Sequence, residues 1–275
     1  MDTLAGKVAV VTGGASGMGR SMALELARRG GAIVIADVNE SRLADVVAEI
    51  GALGRDVLGV RCDVRRDDDM EGLRDAAFAR FGVVDVLCNN AGVSLHGPPH
   101  TMEMADWDWQ LQTNTLGPVR GVRMFVPAMV ERGNGHVVNT ASIAGTWAHN
   151  WDSTAYVASK FAVYGFSESL ARALRPLGVG VSVLCPGAVK TNIAETVRFS
   201  GIEPGREQEY FWFPPELMDL ISPDLVGPMV CDAIEADRFL VFTHERDAEH
   251  FRTWRLDIEQ SLADAIARQE PPPRL

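Results

Sequence analysis

Short apolar runs alternate with amphipathic stretches along most of this chain. Val8-Ala9-Val10-Val11 comes first, and Met22-Ala23-Leu24-Glu25-Leu26-Ala27 opens a helical pattern. A second run, Ala32-Ile33-Val34-Ile35-Ala36, ends at Asp37. Leu43, Val46, Val47, Ile50 and Leu53 then mark one helix face. Further strands are predicted at 57–62, 84–88, 135–140, 181–184 and 239–242, with helices near 69–81, 106–131 and 155–177. Strands buried on both faces of a parallel sheet read as continuous apolar runs. Repeated strand–helix–strand units imply a doubly wound α/β sheet of about seven strands, with helices on both faces and right-handed crossovers. No linker divides the chain, so residues 1–275 are expected to form one domain. Two stretches break the rhythm. Residues 192–223 have no clear period and hold Tyr210-Phe211-Trp212-Phe213-Pro214-Pro215. Residues 245–268 read as one helix, with Phe251, Trp254, Ile258, Leu262 and Ile266 on a face.

Between the first strand and first helix lies Thr12-Gly13-Gly14-Ala15-Ser16-Gly17-Met18-Gly19. Glycines let a backbone turn tightly and approach a phosphate with no Cβ in the way. The N–H groups and dipole of the new helix attract an anion. This order defines a Rossmann-type turn built to hold a pyrophosphate. A carboxylate some 20 residues further on is where a ribose is read, and Asp37 stands there. Its hydroxyl-accepting oxygens suit NAD and repel a 2′-phosphate. Two like charges ~4 Å apart at an effective dielectric of ~20 cost about 4 kcal/mol. No Arg or Lys lies in 14–16 or 38–40 to offset this. In doubly wound sheets ligands bind at the strands' carboxyl ends. Asp37, Asp63, Asn90, Ser142 and Pro186-Gly187 all follow strands and are expected to converge on one edge.

Composition narrows the partners. A formal charge of −11 disfavours nucleic acid and anionic membrane surfaces. The first apolar run opens almost at Met1, so no secretory leader is expected, and no run is long enough to span a bilayer. A cytoplasmic location is expected. Cys62, Cys88, Cys185 and Cys231 are far apart, form no metal-like pair and read as reduced core residues.

Tyr156 and Lys160 stand four apart and share a helix face. Free tyrosine has a pKa of about 10, too high for a base at neutral pH. A neighbouring ammonium and an oxidised nicotinamide ring favour the phenolate. A drop of about two to three units, roughly 3–4 kcal/mol, brings it into general acid–base range. Ser142 follows the fifth strand, where its hydroxyl either donates to a developing oxyanion or caps the loop. Asn114 precedes Pro118 by four residues. Pro118 has no N–H, so the helical bond to the Asn114 carbonyl is missing and a kink is expected. A freed carbonyl there is suited to hold a water that passes protons from Lys160.

Together, Thr12…Gly13…Gly17…Gly19, Asn89-Asn90-Ala91-Gly92, Asn114, Ser142, Tyr156…Lys160 and Pro186-Gly187 resemble the short-chain dehydrogenase/reductase family, in its short single-domain branch. The resemblance covers almost the whole chain. It implies Tyr156 as acid/base, Ser142 as carbonyl partner, Lys160 on the nicotinamide ribose and Asn114 in a water relay. The implied cofactor set is Gly13, Ser16, Gly17, Met18, Gly19, Asp37, Val38, Asp63, Val64, Asn90, Ala91, Gly92, Tyr156, Lys160, Pro186, Gly187, Val189 and Thr191. Asp63-Val64 fall to the adenine, and 186–191 to the nicotinamide end. A homo-oligomer, dimer or tetramer, pairing through the helices that carry Asn114 and Tyr156 is implied as well.

The reading is an oxidoreductase that interconverts a secondary alcohol and a ketone. Trp147, His149, Trp151, Tyr210 and Trp212 are candidates to stack on a bulky alicyclic or aryl substrate, or to pack a lid or interface. His96 is a further pocket candidate, or a solvated loop residue. The alternatives are a 3-oxoacyl- or steroid-type reductase, a transient-oxidation isomerase, and a non-catalytic NAD-binding regulator. The intact Asn114, Ser142, Tyr156 and Lys160 argue against the last. Asp37 predicts that kcat/KM with NAD exceeds that with NADP and that Asp37→Ala narrows the gap. Equal values for the two dinucleotides in the wild-type chain would overturn that expectation.

Overall fold

The computed structural model describes residues 1–148, 150–210 and 219–268. The apolar runs become strands and the amphipathic stretches become helices. β1 (Val8–Thr12) passes through the glycine turn into α1 (Gly17–Arg28). β2 (Ala32–Asp37), α2 (Glu40–Ala52), β3 (Val57–Arg61), α3 (Asp67–Phe81) and β4 (Val86–Asn89) complete the first half. The second half holds β5 (Leu95–His96), α4 (Met104–Leu111), α5 (Gly117–Arg132), β6 (Gly135–Thr140), α6 (Thr154–Leu174) and β7 (Val179–Cys185). It ends with β8 (Arg198–Phe199), α7 (Val226–Glu235), β9 (Leu240–Phe242), α8 (Glu245–Leu256) and α9 (Ile258–Arg268).

The main sheet has seven strands in the order β3-β2-β1-β4-β6-β7-β9, and every pairing is parallel. Side chains alternate between its two faces, as the strand period requires. Ala9 and Val11 of β1, with Ile33 and Ile35 of β2, pack against α1, α2 and α7. Val8, Val10, Val34 and Ala36 point the other way, toward α3, α5 and the end of α6. Strand order reverses direction at β1, between β2 and β4. Such a switch opens a crevice at the carboxyl ends. All four cysteines are buried and free.

Four features depart from the sequence pattern. The long helix expected at 106–131 is interrupted by a π turn, Gln112–Leu116, in which the Gly117 N–H reaches back to the Gln112 carbonyl. Pro118 cannot donate to the Asn114 carbonyl, so the helix widens by one residue instead of merely bending. The C-terminal helix divides at Asp257, whose backbone is extended and whose Oδ1 accepts the Gln260 N–H at 3.0 Å. Asp257 is therefore the cap of α9. An acid followed three residues later by Gln is a legible start signal. Residues 192–223 contain β8, which pairs in parallel with β5 as a separate two-stranded sheet. α7 lies where no helix was predicted, and its Val226, Val230, Cys231 and Ile234 are core residues.

Phe125 is fully buried and stacks on Phe78 of α3, with ring centroids 6.2 Å apart. Phe125→Ala is expected to lower the unfolding free energy by about 3–5 kcal/mol in a urea titration. A loss below about 1 kcal/mol would mean that this face is not close-packed.

Candidate active site

The two sides of the crevice are stitched by backbone-directed hydrogen bonds. Thr12 Oγ1, at the end of β1, accepts the N–H groups of Asn90 (3.0 Å) and Ala91 (3.2 Å) past the end of β4. Asn90 Nδ2 donates back to the Thr12 carbonyl at 3.1 Å. Gly13 and Gly17 have φ of 63° and 51°, which glycine tolerates best. A Cβ on Gly13 would lie 2.9 Å from Ala91 Cα, and one on Gly19 would collide with the Gly13 carbonyl. The turn is thus as tight as a chain without side chains allows. Ser16 caps α1 with its backbone, and its side chain makes no capping bond. No acid occupies the first turn of α1. Unspent donors and the dipole at this point, beside Met18, fit a pyrophosphate.

Asp37 Oδ2 accepts the Ala15 N–H (3.1 Å), and Oδ1 accepts the Asn39 N–H (3.0 Å). The carboxylate therefore pins the glycine turn and retains lone pairs for a ribose. Val38 beside it is exposed. Asp63 lies on the same sheet edge and is gripped by Arg65, through Nε at 2.9 Å and the Arg65 N–H at 3.0 Å. Arg65 holds the Asp63 carboxyl below the usual carboxylate range. Val64 is buried, packed close to Gly117.

The opposite wall is residues 186–191, after β7. The Pro186 carbonyl accepts the Ile143 N–H at 2.9 Å, and the Gly187 N–H donates to Thr243 Oγ1 at 3.0 Å. Val189 bridges to Ile221. Thr191 Cβ lies 3.2 Å from where a Gly17 Cβ would stand. This loop thus faces the glycine turn directly.

Between these walls sit the reactive groups. Lys160 on α6 is buried and donates from Nζ to the Thr140 carbonyl at 2.9 Å, the last residue of β6. The same Nζ lies 5.6 Å from the Tyr156 ring centroid. Ser142 Oγ accepts the Ala144 N–H at 3.1 Å, and Ser142 opposes the rise that burial gives the Tyr156 phenol. The capping reading of Ser142 is the one these bonds show. A Cβ on Gly92 would be 3.5 Å from both Asn114 Oδ1 and Lys160 Nζ, so Asn90-Ala91-Gly92 borders the same cluster. Asn114, in the π turn, is clamped by its side chain. Its Oδ1 accepts the Val93 N–H (2.9 Å), and its Nδ2 donates to the Val93 carbonyl (3.0 Å) and Ser159 Oγ (3.2 Å).

Two polar residues of this cluster were not singled out in the sequence. Gln110 is fully buried and donates to the Val93 carbonyl at 3.0 Å. Ser159 donates to the Tyr156 carbonyl at 2.7 Å. Gln110 stands four before Asn114, and Ser159 adjoins Lys160, so helical spacing was the available signal.

Burial acts on both ionisable groups. Burial raises the Tyr156 phenol, and the Ser142 hydrogen bond only offsets this. Lys160 is itself pushed down to about 8 by burial. The ammonium lies over the ring face and is as desolvated as the phenol, so the chain's own groups do not deliver the lowered pKa.

The substrate candidates divide. Trp147 is buried under α8, with its ring 4.5 Å from that of His250 and clustered with Ile143 and Trp254. Trp151 meets Tyr210 edge-on at 5.8 Å. Tyr210 is buried, and its hydroxyl makes no hydrogen bond among the described residues. His149 and Trp212, with Phe211 and Phe213, lie outside the described residues. His96 is buried rather than solvated, 3.0 Å from Ser94 Oγ through Nε2 and 3.4 Å from Asp152 Oδ2 through Nδ1. Among the described residues no helix is long and apolar enough to cross a membrane, and no cluster of His, Cys, Asp and Glu could hold a metal.

A glycine turn at the switch point, facing a buried serine and lysine and a half-buried tyrosine, stands at the carboxyl edge of a Rossmann-type sheet. A family model for short chain dehydrogenases matches residues 7–200. The chain belongs to the short-chain dehydrogenase/reductase family and is an oxidoreductase. It is 38% identical over 198 residues to 3beta-hydroxysteroid dehydrogenase 2 of Eggerthella lenta, covering 71% of this chain and 75% of that one. A Burkholderia phymatum short chain dehydrogenase/reductase, solved in complex with NAD, superposes with a TM-score of 0.83 at 34% identity, covering 100% of this chain and 99% of that one. A metagenomic short-chain oxidoreductase in complex with NADP superposes with a TM-score of 0.71 at 32% identity, covering 87% and 96%. These similar structures thus include complexes with either dinucleotide.

Lys160 binds its proton less tightly folded than unfolded. Between about pH 8 and its ordinary value of 10.5, the unfolded chain carries the extra proton, so stability rises with pH. Lys160→Met removes that slope. The wild-type unfolding free energy is expected to gain about 3 kcal/mol on that of Lys160→Met across this window. Parallel pH–stability curves would show that no buried ammonium is present.

Proposed function

We propose that this chain is an NAD-dependent dehydrogenase that interconverts a secondary alcohol and a ketone on a bulky alicyclic or aryl-substituted substrate. The observation that carries the reading is the cluster of buried Ser142 and Lys160 with half-buried Tyr156 between the glycine turn and residues 186–191. Ser142 and Tyr156 hydrogen-bond the substrate oxygen. Tyr156 takes the hydroxyl proton in oxidation and returns it in reduction. Lys160 is held toward this edge by Thr140 and stabilises the phenolate as it forms. Asn114, fixed by Val93 and Ser159, stands where protons would leave toward solvent.

NAD supplies the hydride acceptor when bound. Gly13, Ser16, Gly17, Met18 and Gly19 hold its pyrophosphate, and Asp37 and Val38 its adenosine ribose. Asp63 and Val64 take the adenine, with Asn90, Ala91 and Gly92 beside them. Lys160 holds the nicotinamide ribose. Pro186, Gly187, Val189 and Thr191 take the nicotinamide end. Asp37 favours NAD over NADP by charge. The Trp151–Tyr210 pair supports a bulky substrate, and the similar Eggerthella lenta protein is named for a hydroxysteroid. Partly exposed Leu116 before α5 and Phe161 on α6 support a homo-oligomer, dimer or tetramer. We place the enzyme in the cytoplasm, with no nucleic-acid or membrane partner.

A panel of secondary alcohols, scored by NADH absorbance, tests the reading. Tyr156→Phe is expected to lower kcat by about 10²–10⁴-fold. NADH affinity should stay within about twofold, because the ring is retained. Undiminished turnover in that variant would refute the assignment.

A further inference from the structure

The start of the C-terminal helix presses on the turn that follows β7. Gly187 donates its N–H to Thr243 Oγ1 at 3.0 Å. An oxygen that accepts there has its own proton to give, and His244 Nδ1 lies 2.9 Å away. The imidazole then carries its proton on Nε2, which is 2.9 Å from the Asp219 carbonyl. One chain of hydrogen bonds therefore joins the Pro186–Gly187 turn, the two residues that lead into α8, and Asp219.

Asp247 lies behind this chain. It is fully buried, and its Oδ2 makes no hydrogen bond among the described residues. Any Cβ on Gly187 would strike that oxygen and would lie 2.6 Å from His244 Nδ1. That oxygen lies 3.5 Å from His244 Nδ1, and Asp247 stands at the third position of α8, where the helix dipole favours an anion. Arg246 Nε meets the other oxygen at 3.3 Å. The same turn accepts the Ile143 N–H beside Ser142, so its placement also reaches the reactive cluster.

We propose that Thr243, His244 and Asp247 are positioning residues that set the Pro186–Gly187 turn, and with it the nicotinamide half of the dinucleotide site. This rests on the dinucleotide reading above. Gly187 has no side chain with which to locate itself, and α8 supplies the missing contact. The adenosine half, on the glycine turn and Asp37, shares none of these bonds.

The test compares NADH with ADP-ribose, which lacks the nicotinamide, by titration calorimetry on the full chain. Thr243→Val keeps the volume and removes the acceptor. It is expected to weaken NADH about tenfold while leaving ADP-ribose within about twofold. His244→Ala should behave likewise, and His244→Gln should recover part of the loss, because its amide can still donate to the Asp219 carbonyl. Equal weakening of both ligands would assign these residues to general stability, and no weakening of either would remove the role altogether. Both of those outcomes overturn the positioning role and leave the oxidoreductase reading standing. A wild-type chain that binds neither ligand overturns both.

Discussion

A single buried cation organises the reactive end of this molecule. Lys160 is almost wholly enclosed, and its ammonium is bound to the final carbonyl of β6. A charge removed from water needs strong acceptors or it neutralises, and the lowered affinity of Lys160 for its proton measures that tension. The bond to Thr140 fixes the axial position of α6 on the sheet. It therefore fixes Tyr156 one turn earlier and Ser159 between them. Ser159 in turn anchors Asn114 and Gln110.

The fold was largely legible because it rests on two strong periodicities. The continuous apolar runs at β1 and at Ala32–Ala36 of β2 have no alternative to burial between helices. The glycine turn was legible because Gly13 and Gly19 leave no room for any other residue. Asp37, Ser142, Tyr156, Lys160 and Asn114 stand out as candidates in the sequence because each combines a place near a strand end or on a helix with a side chain of definite chemistry. The π turn was half legible: Pro118 announces a missing hydrogen bond, and only the packing of Asn114 between Val93 and Ser159 decides how the helix responds.

What escaped the sequence depends on contacts between distant segments. β5 and β8 are two residues each, too short for any period to declare itself. Their pairing joins residue 96 to residue 199, and nothing local in either stretch encodes it. His96 was read as a loop residue for the same reason. It is buried because Asp152 and Phe199 arrive from elsewhere in the chain. Spacing likewise gives the proximity of Tyr156 to Lys160 and says nothing of the burial that raises the one group and lowers the other.

The widened turn at Gln112–Leu116 has a geometric result for the rod that contains it. An extra residue in one turn advances the angular phase, so the stripes on either side of it no longer align. Gln110 and Asn114 face inward, while Leu116, two residues later, is 38% exposed. A uniform helix would have to trade one orientation against the other along its whole length. The phase slip lets α4 be registered by the floor of the crevice and α5 by the sheet and by whatever meets its outer face, each without disturbing the other.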